Sequence, residues 1–374
     1  MKTNNKTIFS SLLVLIFMLG STINTIYACT GIRLTATDNS VVYGRTMEWG
    51  EFDLNSRITI IPRGYDFTGQ TPDGMNGKKW TSKYGVVGLN LLDQDYLADG
   101  MNETGLTAGL FYHPGFETYN DYDNSMADNT ISPLDITNYI LSQYSTLEEV
   151  REGLSDVRVI KLVDKGSGIE VNAHWMVTSP QGKSIVIEFV KGKVRIFDNP
   201  LGVITNAPTY DWHMINLRNY INLSADALPD KKIEDLDFTP LGVGSGMIGL
   251  PGDFTPPSRL VRAVAWTQTA RLTPTPTETV YELFRILDNF NVPLAATEKG
   301  SNAKDGNPGM RSSTEWTTAW DLSNRVFYYH TQNNRRVRAL KFSEIDFSNL
   351  GNDIIHMPLD HVKEQDIKYL TLNK

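Results

Sequence analysis

The sequence predicts an α+β fold in which two stacked β-sheets carry helices on their outer faces. Strand-like blocks and paired helix-like segments alternate in the order strands, helices, strands, helices, strands, and no single linker divides them. Antiparallel blocks interrupted by helix pairs suit a layered arrangement, because each element must bury its apolar side against another. Hydrophobic residues make up 40% and aromatic residues 10% of the 374 residues, which is sufficient for a sizeable core.

The first strand block begins with a predicted β-hairpin. Apolar residues alternate on both sides of the turn at 37–40, which is typical of two antiparallel strands. Further strands are predicted at 57–62, 83–89 and 106–112, and the stretch 98–105 is predicted to be a turn.

Helices are predicted where capping signals precede apolar residues at helical spacing. Pro133 suits the first turn of a helix, and a capping box from Ser145 to Glu148 predicts a second helix through Leu154. The remaining elements are predicted as strands at 175–178, 184–190 and 194–197, helices at 258–272 and 278–289, and strands at 314–320, 326–331 and 337–342.

The single cysteine of the chain, Cys29, follows a segment with the layout of an export signal. Residues 1–28 begin with two lysines, continue with an apolar run at 8–19 and end on the small Ala28. That run is shorter than the ~20 residues that span a bilayer. We therefore predict a signal peptide at 1–28, a single domain at 29–374, and export to the periplasm or beyond.

Cleavage after Ala28 would make Cys29 the first residue of the exported protein. A free thiol has a pKa of about 8.5 and an α-amino group one of about 7.7–8.0, so the amine can accept the thiol proton near neutral pH. A nucleophile paired with a base is the general requirement of covalent catalysis. Two other interpretations stay open: a lipid-anchored binding protein acylated on Cys29, although Tyr27 stands where such signals carry a small residue, and a cysteine without a role.

Composition excludes some function classes. The formal net charge of −8 is not typical of a nucleic-acid-binding protein. The single cysteine rules out an intrachain disulfide. The six histidines are scattered without close metal-ligand spacing, so no metal site is predicted, and His174, next to Trp175 in a predicted strand, is interpreted as structural.

Six segments occur in the order found in the choloylglycine hydrolase family, which includes bile salt hydrolases and penicillin V acylases. The segments are 29–31, 44–48, 98–103, 174–176, 205–213 and 250–259. The last two are long and specific, and together the six span most of the chain. The sequence from 29 to 342 therefore resembles this family.

The resemblance implies an N-terminal-nucleophile hydrolase with a four-layer αββα sandwich, often a homotetramer, without metal or organic cofactor. It implies that Cys29 is the nucleophile, that Arg45 lies beside the thiol, that the Asn206 amide binds the oxyanion and that Arg259 is a further active-site arginine. Glu48 stands where the family has an aspartate that orients the α-amino group.

A second departure concerns the oxyanion site and the substrate. The family's other supporting asparagine is matched by 109–112, where an aromatic residue resembles the penicillin V acylase branch; Phe111 is expected there, or Tyr112 if the gap falls one residue later. A small amphipathic amide is the expected substrate, with conjugated bile salts favoured and penicillin V or another acyl amide as the alternative. The expected pocket residues are Met47, Trp49, Phe111, Tyr112, Met247, Ile248 and Leu250.

Overall fold

The computed structural model describes residues 28–164, 168, 170–294, 296 and 310–372. Of the predicted signal peptide only Ala28 lies within the described residues. In these residues two large sheets face each other across an apolar core, and each sheet carries a pair of helices on its outer face. The predicted α+β class, a four-layer αββα sandwich, is confirmed.

The first sheet is antiparallel and has Cys29 at the start of an interior strand. In spatial order its strands are Val203–Ile204 (β14), Cys29–Thr35 (β1), Val41–Glu48 (β2), Thr314–Asp321 (β17), Val326–Thr331 (β18) and Arg338–Lys341 (β19).

The second sheet is also antiparallel. In spatial order its strands are Lys193–Asp198 (β13), Ser184–Val190 (β12), Ala173–Thr178 (β11), Thr107–Tyr112 (β8), Leu97–Asn102 (β7), Val86–Asn90 (β6), Arg57–Ile61 (β3) and Ile355–Pro358 (β20).

Short strand pairs and helices complete the described chain. The pairs are Asp66–Thr68 (β4) with Lys79–Thr81 (β5), Thr130–Ile131 (β9) with Arg158–Val159 (β10), and Lys231–Ile233 (β15) with Leu236–Phe238 (β16). The α-helices are Asp135–Gln143 (α1), Leu147–Ser155 (α2), Tyr210–Asn216 (α3), Pro256–Thr269 (α4) and Pro276–Leu287 (α5). No helix among the described residues has both the length and the apolar character to cross a membrane.

Three apolar cores separate the four layers. Side chains of the two sheets fill the central core, among them Tyr43, Met47, Leu89, Met101, Trp316 and Trp320. α1 and α2 cover the outer face of the second sheet, and α4 and α5 cover that of the first. Because successive residues of a strand point to opposite faces, β2 sends alternate side chains to the central core and to the helices.

Two local predictions were wrong. The stretch predicted as a turn at 98–105 is a turn only at 103–105, and 98–102 belong to β7, which pairs with β6 on one side and β8 on the other. Pairing on both edges and burial of Ala98 and Met101 outweigh the low strand propensity of the glycine there. The capping box of α2 lies one residue later than predicted, because the Thr146 side chain accepts from the Glu149 N–H while Glu149 accepts from the Thr146 N–H.

Candidate active site

Strand register brings Cys29 and Asn206 together. β1 pairs with β14 so that Gly31 is opposite Ile204, and continuing this antiparallel register places Asn206 across from Cys29. The Cys29 backbone nitrogen donates to Asn206 Oδ1 at 2.7 Å. Asn206 Nδ2 in turn donates to the carbonyl of Tyr112 at 2.6 Å. The side-chain amide therefore connects the start of β1 to the end of β8, across the two sheets.

Arg259, in the first turn of α4, donates hydrogen bonds to the Asn206 amide and to the start of β1. Its Nη2 donates to Asn206 Oδ1 at 2.6 Å, and its Nη1 donates to the carbonyl of Cys29 and, at 2.9 Å, to Thr30 Oγ1. Burial lowers the pKa of Arg259 to about 10, although Glu48 and Cys29 act in the opposite direction. Arg259 is therefore still cationic at neutral pH.

Arg45 brings a second buried cation to the thiol. Cys29 Sγ lies 3.9 Å from Met47 Sδ, and Arg45 Nη2 lies 3.8 Å from that same Met47 Sδ. The guanidinium carbon lies 4.2 Å from the ring centroid of Phe111 and 5.5 Å from that of Trp316. Its nitrogens also donate to three backbone carbonyls, those of Thr46, Ala98 and Leu110. Burial alone lowers the pKa of Arg45, but neighbouring negative groups, Cys29 foremost, raise it overall.

Glu48 is a buried carboxyl at the end of β2. Its Oε1 accepts from Thr314 Oγ1 at 3.2 Å, whereas Oε2 has no hydrogen-bond partner among the described residues. Burial raises the pKa of Glu48 to about 7, and Arg259, the Thr46 hydroxyl and Arg45 oppose this rise. The carboxyl thus changes charge near neutral pH and has one oxygen available for a further donor.

Cys29 and Glu48 open onto an apolar cavity with about 770 Å³ of empty space including its mouth. The predicted pocket residues Met47, Trp49 and Tyr112 line it. The other lining residues, which sequence reasoning missed, come mostly from the loop after β6 and from the segment before β11: Leu54, Leu91, Leu92, Gln94, Tyr96, Leu110, Leu134, Asp164, Glu170, Val171 and Asn172.

Phe111 and Leu250 were predicted to line the pocket, and the structure places neither there. Side chains alternate along β8, so Leu110 and Tyr112 face the cavity while Phe111 enters the central core beneath Arg45. The choice between the two aromatic residues thus falls on Tyr112. Leu250 follows a 3-10 turn at Val243–Met247, outside the cavity, and its N–H donates to the Met247 carbonyl. Met247 and Ile248 also lie outside the lining.

The histidines are less scattered than the sequence indicated. His113, His174 and Glu188 are buried together, with one potential ligand atom from each within 4.8 Å of the others. The His113 and His174 rings are stacked, with 4.1 Å between their centroids and 11° between their planes. Imidazole lone pairs lie in the ring plane, so near-parallel rings would have to tilt before both could bind one ion. Instead His174 Nε2 meets the carbonyl of Thr205 at 2.9 Å. The register of β8 with β11, which pairs Phe111 with His174, could have revealed this proximity.

The αββα sandwich, with an interior strand beginning at Cys29, defines the fold of the N-terminal-nucleophile hydrolases. The chain belongs to the choloylglycine hydrolase family of linear amide C–N hydrolases, whose sequence profile matches residues 29–356. The resemblance found in the sequence is therefore confirmed. The protein is an enzyme of the class that hydrolyses linear amide C–N bonds.

Its curated relatives include the bile salt hydrolase/transferase of Clostridium perfringens, which is 33% identical over 329 residues, covering 87% of this chain and 95% of the relative. The bile salt hydrolase/transferase of Lactiplantibacillus plantarum is 28% identical, covering 84% and 92%. Among solved structures, a mutant conjugated bile acid hydrolase from Clostridium perfringens matches with a TM-score of 0.77 and 29% identity, covering 92% of this chain and 100% of that one. Penicillin V acylase from Agrobacterium tumefaciens shares the fold, with a TM-score of 0.70 and 23% identity over 90% and 95%.

Proposed function

We propose that this enzyme hydrolyses conjugated bile salts with Cys29 as its N-terminal nucleophile. One observation carries the proposal: the Cys29 nitrogen is anchored on Asn206 Oδ1 while the thiol borders an apolar cavity. An anchored nitrogen beside a nucleophile suits proton transfer between them. Several relatives are named as bile salt hydrolases, which favours this substrate class.

The reaction requires that the segment before Cys29 be removed. The freed α-amino group accepts the thiol proton, and the thiolate attacks the amide carbonyl to form a tetrahedral oxyanion. The same amine then gives the proton to the leaving amine as the C–N bond breaks. Water hydrolyses the resulting thioester, releasing the acid and regenerating the thiol.

Asn206 has two roles in this scheme. Arg259 can only donate hydrogen bonds, so the oxygen of the Asn206 amide must face it. The same oxygen accepts the hydrogen bond from the Cys29 nitrogen. The Nδ2 group consequently points to the rim of the cavity formed by Tyr112. From there Nδ2 can donate its hydrogen bond to the oxyanion instead of to the Tyr112 carbonyl. Such a donor typically accelerates the reaction ~10²–10³-fold.

Two buried charges complete the proposed chemistry. Arg45, held near the sulfur through the Met47 contact, favours the thiolate over the thiol. Glu48 has an unpartnered oxygen that can accept from the ammonium group of Cys29 once it is free. The extra methylene relative to the family's aspartate is accommodated by the Thr314 hydroxyl, which holds the other oxygen.

The cavity suits a large apolar acyl group, because apolar and aromatic side chains make up most of its wall and little polar surface faces it. A second candidate substrate is penicillin V or another aryl-substituted acyl amide. The observation that favours it is Tyr112, an aromatic side chain that lines the cavity from the stretch 109–112, where an aromatic residue resembles the penicillin V acylase branch.

We also propose export with removal of 1–28, and association of several copies, four by family resemblance. Support for association comes from the segment 221–250, in which several apolar side chains are exposed to solvent. Leu241 is fully exposed, and Val243 and Ile221 are each 86% exposed. Such a concentration of exposed apolar residues is typical of an interface. Light scattering of the wild type and of Leu241→Asp tests this, since a monomer in both cases contradicts it.

The decisive experiment combines the mature N-terminus with substrate assays. We expect mass spectrometry of the exported protein to find an unmodified Cys29 as the first residue, whereas a diacylglyceryl cysteine would support the lipid-anchored binding protein instead. Release of glycine or taurine from bile conjugates and of the acyl group from penicillin V are measured side by side. Cys29→Ser, which keeps the shape of the side chain, is expected to fold and to lose most turnover on every substrate.

Bile conjugates are expected to be hydrolysed with the higher kcat/KM. Preference for penicillin V would replace the leading substrate with the second candidate. Wild-type turnover by Cys29→Ser would contradict the nucleophile itself.

A further inference from the structure

Three buried side chains contact backbone groups of the segment 205–210, which carries Asn206. We propose that His174, His213 and Glu188, here called the 205–210 clamp, are positioning residues that set the location of the Asn206 amide for catalysis. The inference rests on the proposed role of Asn206, and none of the three side chains reaches the reacting atoms through the contacts described.

The two imidazoles hold adjacent carbonyls. His174 Nε2 lies 2.9 Å from the Thr205 carbonyl, and His213 Nε2 lies 3.0 Å from the Asn206 carbonyl. A carbonyl can only accept a hydrogen bond, so both rings must carry a proton on Nε2. The carbonyls before and after the Asn206 Cα, those of Thr205 and Asn206, are thereby both held.

Glu188 holds the other end of the segment. Its Oε1 accepts from the N–H of Tyr210 at 2.6 Å, where α3 begins. The carboxyl also lies 3.6 Å from His174 Nδ1. His174 and Glu188 stand on neighbouring strands, β11 and β12, which are interior strands of the second sheet. The clamp therefore connects the Asn206 segment to the interior of the second sheet.

The clamp side chains are buried, which makes these contacts demanding. His174 is 1% exposed, His213 2% and Glu188 0%. Removing one imidazole would leave a buried carbonyl without its donor, and the segment would shift to find another partner or water. A displacement of about 1 Å in a catalytic group can cost ~10²-fold in rate. The amide that such a shift would move is the one that receives the Cys29 nitrogen.

The test compares leucine and glutamine at the two histidines. Leucine removes the donor, whereas glutamine places an N–H close to the position of Nε2. We expect His174→Leu and His213→Leu to lower kcat about 10–100-fold with KM changed less than about threefold, and His174→Gln and His213→Gln to restore most of kcat. His330→Leu is the matched control, because His330 is also buried but packs on Phe284, away from this segment.

A second readout does not depend on the substrate. The rate at which iodoacetamide alkylates Cys29 reports how well the neighbouring amine accepts the thiol proton. It should fall in the leucine variants and recover in the glutamine variants. If the wild type hydrolyses none of the amides but alkylation follows this pattern, the clamp stands and the proposed substrate fails.

Folded leucine variants that keep both kcat and the alkylation rate of the wild type would overturn the clamp. Equal losses in His330→Leu would do the same, because they would indicate a general effect of removing a buried imidazole. Far-ultraviolet circular dichroism and thermal melting establish which variants are folded, and the glutamine variants keep the test valid if a leucine variant does not fold.

Discussion

Arg259 Nη2 and Asn206 Oδ1 lie 2.6 Å apart, although 53 positions separate them in the chain. Because a guanidinium has only donors, this contact decides which end of the amide faces Cys29. The oxygen receives the Cys29 nitrogen, and the nitrogen is directed toward the cavity rim. An arginine on a helix thus sets the polarity of an amide between two sheets.

Asn206→Asp separates the two functions of this amide. The aspartate keeps an oxygen for the Cys29 nitrogen and for Arg259 but loses the Nδ2 donor. We expect kcat to fall ~10²–10³-fold while alkylation of Cys29 stays within a few-fold of wild type. Asn206→Leu, which removes both functions, should lower both rates. Turnover by Asn206→Asp near the wild-type level would show that Nδ2 does not stabilise the oxyanion.

Sequence patterns were sufficient for the layers but not for the cavity. β-Branched and aromatic residues are frequent in β1, β2 and β17, and this local signal was enough to predict the three strands close to their observed positions. β7 was missed because its strand character comes from pairing on both edges rather than from its own residues. The side of β8 that faces the cavity could not be predicted, because a one-residue uncertainty in alignment exchanges Phe111 with Tyr112.

The set of charges around Cys29 was accessible only through resemblance. Arg45 and Glu48 in a strand are uninformative by themselves, since charged strand ends are usually exposed. Arg45 is 0% and Glu48 2% exposed, because the neighbouring strands β1 and β17 cover them, and the local sequence does not reveal this pairing. The histidine–glutamate cluster was missed for the same reason: its members are distant in the chain and meet only through strand register.

Phe111 is expected to be a stability residue rather than a substrate contact. Its ring is fully buried, packs under the Arg45 guanidinium and lies so close to Gly31 that a Cβ there would come within 2.6 Å of it. Phe111→Ala should lower the free energy of unfolding by about 3–5 kcal/mol, measured by urea denaturation. Tyr112→Phe, one residue along on the cavity side, serves as the control and should change stability by less than ~1 kcal/mol. Equal stability of wild type and Phe111→Ala would contradict the assignment.

Leu92 is expected to contribute to substrate binding. It lines the cavity from the loop after β6 with φ at 58°, a conformation that a leucine rarely adopts, and its N–H donates to the Leu54 carbonyl at 2.8 Å. Burying a leucine against a ligand contributes about 1.5–3 kcal/mol, so Leu92→Ala should raise KM for an apolar acyl substrate roughly 10–100-fold with kcat little changed. Leu217→Ala, which removes a half-buried leucine from the core under α4 and α5, should leave KM unchanged. An unaltered KM in Leu92→Ala would place the acyl group elsewhere.

Glu48 should make the stability of the uncleaved chain depend on pH. With Ala28 still joined to Cys29, burial raises the Glu48 pKa from 4.5 to about 7. Between these values the folded state holds a proton that the unfolded state has lost, so the free energy of unfolding falls as pH rises from about 4.5 to 7. The contribution of this one group is about 3 kcal/mol. Glu48→Gln, neutral and of the same size, removes it.

Urea denaturation of both proteins across pH 4.5–8 measures this contribution as the difference in slope. Asp99 and Asp135, whose pKa values burial also raises to about 6, act equally in the two proteins and cancel. We expect the ammonium of a processed Cys29 to supply the donor that Oε2 lacks, and thereby to lower the Glu48 pKa and flatten the wild-type profile. Parallel profiles for wild type and Glu48→Gln before processing would show that this carboxyl is already ionised without the ammonium, and its role as the partner of the freed amine would then have no support.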